Sequence, residues 1–417
     1  MFTKALKIDY NYLNRRIDKM RIAGICARGI EGTGQTKYII ETMKALESVG
    51  HSIDIFASND KKFGRRKAHD ITLKFEGPFA KKANVDYIID EINTNYDLVI
   101  IFCLPANKFS DEAKNGYLEI LNSVDKKMIY IMVDHSASSI GRNACVFETA
   151  KRVDLILVHS LTGAMAAWCK KNKVDTPIGY LYTSRNFDDM RDKFWKPVED
   201  INLKSATFIG RCADWKRPQL FIDFSEKKLN PNGFITTMEG MEQSFVFLRL
   251  YFKDGARANG VVDCVDLSRY SSGDHTNLNS DKLYVYDAYN FNEEMERLSK
   301  TGFGADLYTL RPEYYGRSLE QCHNDIVSCG CIPIMSKHFG ENCLTLEGKR
   351  WIDACPDAIW LDDDNYEESF NKMMNYVNDL KLFDKTRHKI YDFFKTQGDV
   401  SVIGPKLDEI IRSVMNG

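Results

Sequence analysis

The 417-residue sequence contains no apolar run approaching the roughly 20 residues of a bilayer-spanning helix, so no helical membrane span is expected. Nor does its N-terminus carry the apolar stretch of a secretion signal, because Lys4, Lys7, Asp9, Arg15 and Arg16 break it up. The 11 cysteines are odd in number, lack any C-x-x-C spacing and often sit inside apolar runs. That usage argues against a disulfide framework or a thiolate metal site and for reduced thiols in a cytosolic protein. Internal repeats and low-complexity tracts are missing too. A formal net charge of −2 neither demands nor forbids a nucleic-acid partner, so only a local basic patch can speak to one.

What is present is enough apolar residue, 44%, to build two cores in a chain of this length. Buried-strand patterns at 21–27, 52–57, 97–104, 127–133 and 154–159 alternate with helix-length segments. A second series follows at 205–210, 234–238, 282–286, 331–334 and 358–361. Alternation of this kind predicts α/β architecture with mostly parallel, doubly wound sheets. The expected organisation is a polar, basic leader over 1–19, a Rossmann-like domain over 20–190, a second over 200–385, and closing helices over 386–417 that return towards the first domain.

The most informative stretch runs from Arg317 to Ile334. It reads as a loop, a helix of about three turns stopped by Gly330, and a short buried strand. Such a helix start aims free backbone N–H groups at an anion, while Asp325 is placed to accept hydrogen bonds from sugar hydroxyls. An ordinary helix and strand of a sheet would look the same.

Four further segments carry chemistry, each with a plainer alternative. The loop Gly29–Gly34 follows a strand and opens a helix, which lets backbone approach a phosphate, but a tight turn explains it equally well. Arg211 and Lys216 reach the carboxyl edge of the second sheet, where two cations suit a departing diphosphate; a pair of surface charges is comparable. Asp134, directly after a strand, can stabilise positive charge or orient a hydroxyl, or simply cap a helix. Lys61, Lys62, Arg65, Arg66 and Lys67 surround Phe63 and Gly64, the make-up of a phosphate-gripping loop and equally of solvated surface.

Taken in order, Ala27–Lys37, Asp134-His135-Ser136, Ile209-Gly210-Arg211 with Trp215-Lys216, Lys300–Gly304, and Arg317–Glu320 through Cys329-Gly330 to Ile332-Pro333 resemble the T-even phage DNA α-glucosyltransferase family. The resemblance runs from about Arg21 to the C-terminus. It implies the two-domain GT-B fold and retaining transfer from a UDP-sugar to the hydroxymethyl group of 5-hydroxymethylcytosine in duplex DNA, in the cytoplasm of an infected host cell. Such a modification masks phage DNA from host nucleases. Further implications are a monomer, no membrane partner and no metal or other cofactor.

By the same resemblance, Arg211 and Lys216 hold the diphosphate, Asp325 the ribose, Glu320 lies near sugar and phosphates, and Gly34 lets the first domain close. Glu41 and Asp134 line the acceptor side, with Asp134, Arg211 and Glu41 as catalytic residues and the Lys61–Lys67 loop on DNA. The family usually carries Glu where Asp325 stands, one methylene longer. It also carries His where this chain has Val133. Valine donates no hydrogen bond, so a hexose 6-hydroxyl would stay unpaired at about 1–3 kcal/mol, which points to a pentose donor such as UDP-arabinose. If His135 supplies the contact instead, UDP-glucose is the donor. The acceptor alternative is a small molecule, lipid or glycan.

Overall fold

The structure, a computed structural model, describes residues 19–27, 34–60, 72–105, 109–132, 144–159, 162–210, 216–239, 270–272, 278–281, 283–286, 291–309 and 319–417. Two seven-stranded sheets, every ladder parallel, organise the chain. In the first the strands are β1 (Arg21–Cys26), β2 (Ser52–Ser58), β3 (Leu73–Gly77), β4 (Leu98–Cys103), β5 (Lys127–Met132), β6 (Leu155–Val158) and β7 (Ile178–Tyr180). They lie in the order β3-β2-β1-β4-β5-β6-β7. The second comprises β8 (Asn202–Ile209), β9 (Ile235–Glu239), β10 (Tyr270–Ser272), β11 (Leu283–Tyr286), β12 (Thr301–Asp306), β13 (Ile332–Ser336) and β14 (Ile359–Leu361). Its order is β10-β11-β9-β8-β12-β13-β14.

Both sheets are covered by helices on their two faces, which is why β4 reads Leu-Val-Ile-Ile-Phe-Cys with all six residues buried rather than alternating. In the first sheet the chain reverses direction of winding between β1 and β4; in the second, β8 leads to β9 on one side and β12 to β13 on the other, so a reversal point lies between β8 and β12. Ligands of open α/β sheets bind outside the carboxyl ends of strands at such points.

The sequence pattern misses β12, although it lies at the centre of the second sheet. Gly302 and Gly304 weaken its strand signature, and packing requires both. A Cβ on Gly302 would stand 2.9 Å from the Leu203 carbonyl oxygen, and one on Gly304 would stand 2.7 Å from Ile326. The short β3, β7 and β10 were also missed. The helix after the first-domain-to-second-domain crossing, Phe187–Phe194, buries Phe187, Met190 and Phe194 in the second core.

The chain passes between the lobes twice, side by side. Arg185 pairs with Asp399 in an isolated parallel bridge, its N–H donating to the Gly398 carbonyl at 2.8 Å while Val400 N–H donates to the Arg185 carbonyl at 3.0 Å. Beyond this crossing the last helix, Val400–Asn416, lies on the first helix, Gly34–Ser48, and Ile403, Leu407 and Ile411 join the first-lobe core. Gly404 permits the contact, since a Cβ there would come within 2.3 Å of the Ala45 carbonyl oxygen. His51 closes it: Nδ1 accepts from Met20 N–H at 3.2 Å, which leaves Nε2 to donate to Asp408 at 2.8 Å.

Candidate active site

The helix Gln321–Ser328 is about two turns long rather than three, and Gly330 ends it at φ +89°. Cys331 N–H donates to the Ile326 carbonyl at 3.1 Å and Gly330 N–H to the Val327 carbonyl at 3.0 Å, a glycine stop of the Schellman kind. Its start is pinned from both sides. His323 Nδ1 accepts from Glu320 N–H at 3.3 Å, so the proton sits on Nε2, which donates to the Asp306 carbonyl at 3.2 Å. Burial pushes the His323 pKa below its ordinary value, consistent with a neutral ring in that tautomer. From the other lobe, Thr183 Oγ1 donates to the Leu319 carbonyl at 2.5 Å, and His159 Nε2 lies 2.8 Å from Thr183 Oγ1 and 2.8 Å from the Tyr38 hydroxyl.

Lys216 reaches the carboxyl end of β12, where it donates to both oxygens of Asp306 at 3.0 and 3.1 Å and lies 3.5 Å from Glu320. Burial alone would depress the pKa of this ammonium, but Asp306 and then Glu320 hold it well above the usual range. A protonated lysine therefore stands at the second sheet's reversal point, shared by two carboxylates, and the helix N-terminus beside it favours an anion.

Asp325 is completely buried, and Lys37 of the first helix donates to its Oδ2 at 2.7 Å while Arg185 pairs with Oδ1. Arg185 also donates to Glu41 Oε1 at 3.0 Å, and Glu41 Oε2 accepts the Asn186 backbone N–H at 2.9 Å. Glu41 thus has both oxygens engaged at the interlobe crossing. Lys37 and Arg185 further stack on Phe291, at 4.9 and 5.2 Å from the ring centre.

Of the residues chosen from sequence, Lys216, Glu320, Asp325 and Glu41 come together at this junction between the lobes. Gly34 opens the first helix. Arg211, Val133, Asp134, His135, Lys61, Lys62, Arg65, Arg66 and Lys67 lie outside the described residues. Sequence reasoning overlooked Lys37, His159, Thr183, Arg185, Glu294, Asp306 and His323. His159 had a usable signal, since it is a polar residue directly after a fully apolar strand; Asp306 was hidden with β12, and Arg185 had no signal, because its partners lie 144 and 140 positions away and only the fold unites them.

Comparison with known proteins places the assembly. Residues 33–381 match the family model described as DNA alpha-glucosyltransferase. The DNA alpha-glucosyltransferase of Enterobacteria phage T4 is 31% identical over 412 residues, covering 92% of this chain and 97% of that one. A solved alpha-glucosyltransferase in complex with UDP and a 13-mer DNA containing an HMU base superposes with a TM-score of 0.84 at 29% identity, covering 96% of this chain and all of the other. Another, in complex with UDP-glucose and DNA containing an abasic site, gives 0.85 at 29% identity, with 95% and 100% covered. A trehalose-6-phosphate synthase shares the fold alone, at a TM-score of 0.52 and 9% identity over 95% of this chain and 99% of that one. The two parallel sheets are those of a GT-B glycosyltransferase, as the sequence implied.

Proposed function

This chain belongs to the DNA alpha-glucosyltransferase family, and from that premise we propose that it moves a sugar from a UDP-sugar to the hydroxymethyl oxygen of 5-hydroxymethylcytosine in duplex DNA, with retention at the anomeric carbon. The observation that carries this reading is Lys216, held by Asp306 and Glu320 at the reversal point of the second sheet and beside the start of helix Gln321–Ser328. A positive charge in that position draws off the pyrophosphate as negative charge grows on it.

In this reading Arg211 joins Lys216 on the diphosphate, helix N–H groups complete the cradle, and no metal is needed to neutralise the leaving group. The departing phosphate oxygen takes the proton of the attacking hydroxyl on the same face of the sugar, while Asp134 stabilises charge at the anomeric carbon. Asp325 serves the donor's ribose through the edge of its carboxylate, or releases Lys37 or Arg185 to do so. The acceptor base must leave the stack to reach a site between two lobes, and the Lys61–Lys67 loop supplies phosphate contacts that hold the duplex. The enzyme acts where phage DNA is made, inside the infected cell, and its product is shielded from host nucleases.

The donor sugar follows from Val133. Without a hydrogen-bond donor at that place the sequence favours a sugar lacking the 6-hydroxyl, and we propose UDP-arabinose ahead of UDP-glucose. Incubating hydroxymethylated duplex DNA with each UDP-sugar and weighing the released nucleosides tests both halves. A mass increase of one sugar residue on 5-hydroxymethylcytosine is expected; unaltered nucleosides with every donor would refute the reading.

A further inference from the structure

Three carboxylates converge on the nucleotide side of this site, and two of them have cations of their own. Asp325 is clasped by Lys37 and Arg185. Glu239, the last residue of β9, accepts from Arg297 Nε and Nη2 at 2.6 and 2.7 Å, and Arg297 lies 4.2 Å over the ring of Tyr286, the register partner of Glu239 at the end of β11. The third, Glu294, is 2% exposed and, among the described residues, makes no ion pair and has no hydrogen-bond partner for its Oε2. It stands in the helix Phe291–Ser299, whose first residue is the ring under Lys37 and Arg185. An open, buried carboxyl oxygen is costly unless something completes it.

The setting says what does. β9 and β11 are one and two strands removed from β8, so their carboxyl ends lie roughly 5 and 10 Å from that of β8. With the phosphates at Lys216, these strand ends are within reach of the nucleoside end of a sugar nucleotide. We propose that Glu294 is a positioning residue for that nucleoside: it is held as the neutral carboxylic acid and donates its O–H to an uncharged acceptor, a carbonyl or hydroxyl oxygen of the base or ribose. This rests on the sugar-nucleotide reading above.

The groups facing Glu294 favour the proton. Burial raises its pKa to about 8; Lys37 from the first helix opposes this, Glu239 from β9 and Asp325 from helix Gln321–Ser328 reinforce it, and Arg297 on its own helix opposes it. Cys329 is a further titratable neighbour among the described residues, and burial holds it as the neutral thiol. Both cations are already committed to the other two carboxylates, so neither is free to ionise Glu294.

Calorimetric titration of UDP into the full-length enzyme and its Glu294→Gln and Glu294→Ala variants, from pH 6.5 to 9.5, tests this. The glutamine amide donates in place of the acid O–H but does not titrate. Relative to Glu294→Gln, which cancels titration of UDP itself, the native enzyme should bind about tenfold more weakly at pH 9 than at pH 7, as expected for one proton leaving near pH 8. Glu294→Ala should bind at least tenfold more weakly at pH 7, while Glu294→Gln keeps the native affinity. Identical pH profiles for native and Glu294→Gln enzyme, or native affinity in Glu294→Ala, would overturn the proposal. Sugar transfer by the native enzyme at pH 7 is measured alongside; its failure would strike the reading above, whereas the affinity ratios strike only this inference.

Discussion

Lys216 and Asp306 face each other across the reversal of strand order in the second sheet, the ammonium nitrogen 3.0 and 3.1 Å from the two carboxylate oxygens. Asp306 is fully buried and Glu320 nearly so, and Lys216 is the cation that pairs with both. Removing it leaves uncompensated buried charge, which costs about 3–5 kcal/mol. Lys216→Ala should therefore lower the unfolding midpoint as well as donor affinity. Adding Asp306→Asn should recover much of the stability and none of the affinity for UDP. Thermal unfolding and UDP titration on the single and double variants separate the two effects.

Glu41 poses the opposite question, because its carboxylate is spent on Arg185 and the Asn186 N–H at the place where the chain crosses between lobes. Glu41→Gln should destabilise the fold, and a double-mutant cycle with Arg185→Met should show coupling of about 0.5–3 kcal/mol. Urea unfolding measures it. If Glu41→Gln instead left stability intact and slowed transfer at saturating donor, the carboxylate would belong to the acceptor side.

The legible part of this protein is the part that repeats locally. Apolar runs such as 98–103 announce buried parallel strands, and Gly330 announces a helix stop because no side chain tolerates φ +89° well. The unread part is what distance in sequence hides. Arg185 carries no pattern of its own and gains meaning only when the fold brings Glu41 and Asp325 to it. β12 was hidden for a different reason: glycines that depress strand propensity are there because Leu203 and Ile326 press on them. Asp325 shows both sides, since its place on the helix was read correctly while its burial under Lys37 and Arg185 could not be.

Donor choice should follow position 133. If Val133 leaves a hexose hydroxyl unpaired, the native enzyme should turn over UDP-arabinose with higher kcat/KM than UDP-glucose, and Val133→His should move the ratio towards glucose by about 5- to 150-fold, the equivalent of 1–3 kcal/mol. Steady-state release of UDP from each donor on hydroxymethylated DNA measures it. The same assay in excess chelator should give an unchanged rate if, as proposed, Lys216 and Arg211 meet the diphosphate charge; loss of activity restored by a divalent cation would refute metal independence.

Glu294 also makes stability depend on pH, with a definite sign. Its ordinary value is 4.5, and burial in the folded protein raises it to about 8. Between these values the folded state holds a proton that the unfolded chain has released, so stability falls as pH rises through the window and levels off above the folded pKa. At 2% exposure little solvent screening discounts the effect, which amounts to several kcal/mol at most, on the order of 1.4 kcal/mol per pH unit. Glu294→Gln removes this one contribution and leaves the others. In urea unfolding at pH 5, 6.5 and 8, the stability of Glu294→Gln relative to the native protein should therefore increase at each step and then stay constant to pH 9. A difference that does not change with pH would mean that Glu294 is ionised in the folded enzyme, paired with Lys37 or Arg297 in solution.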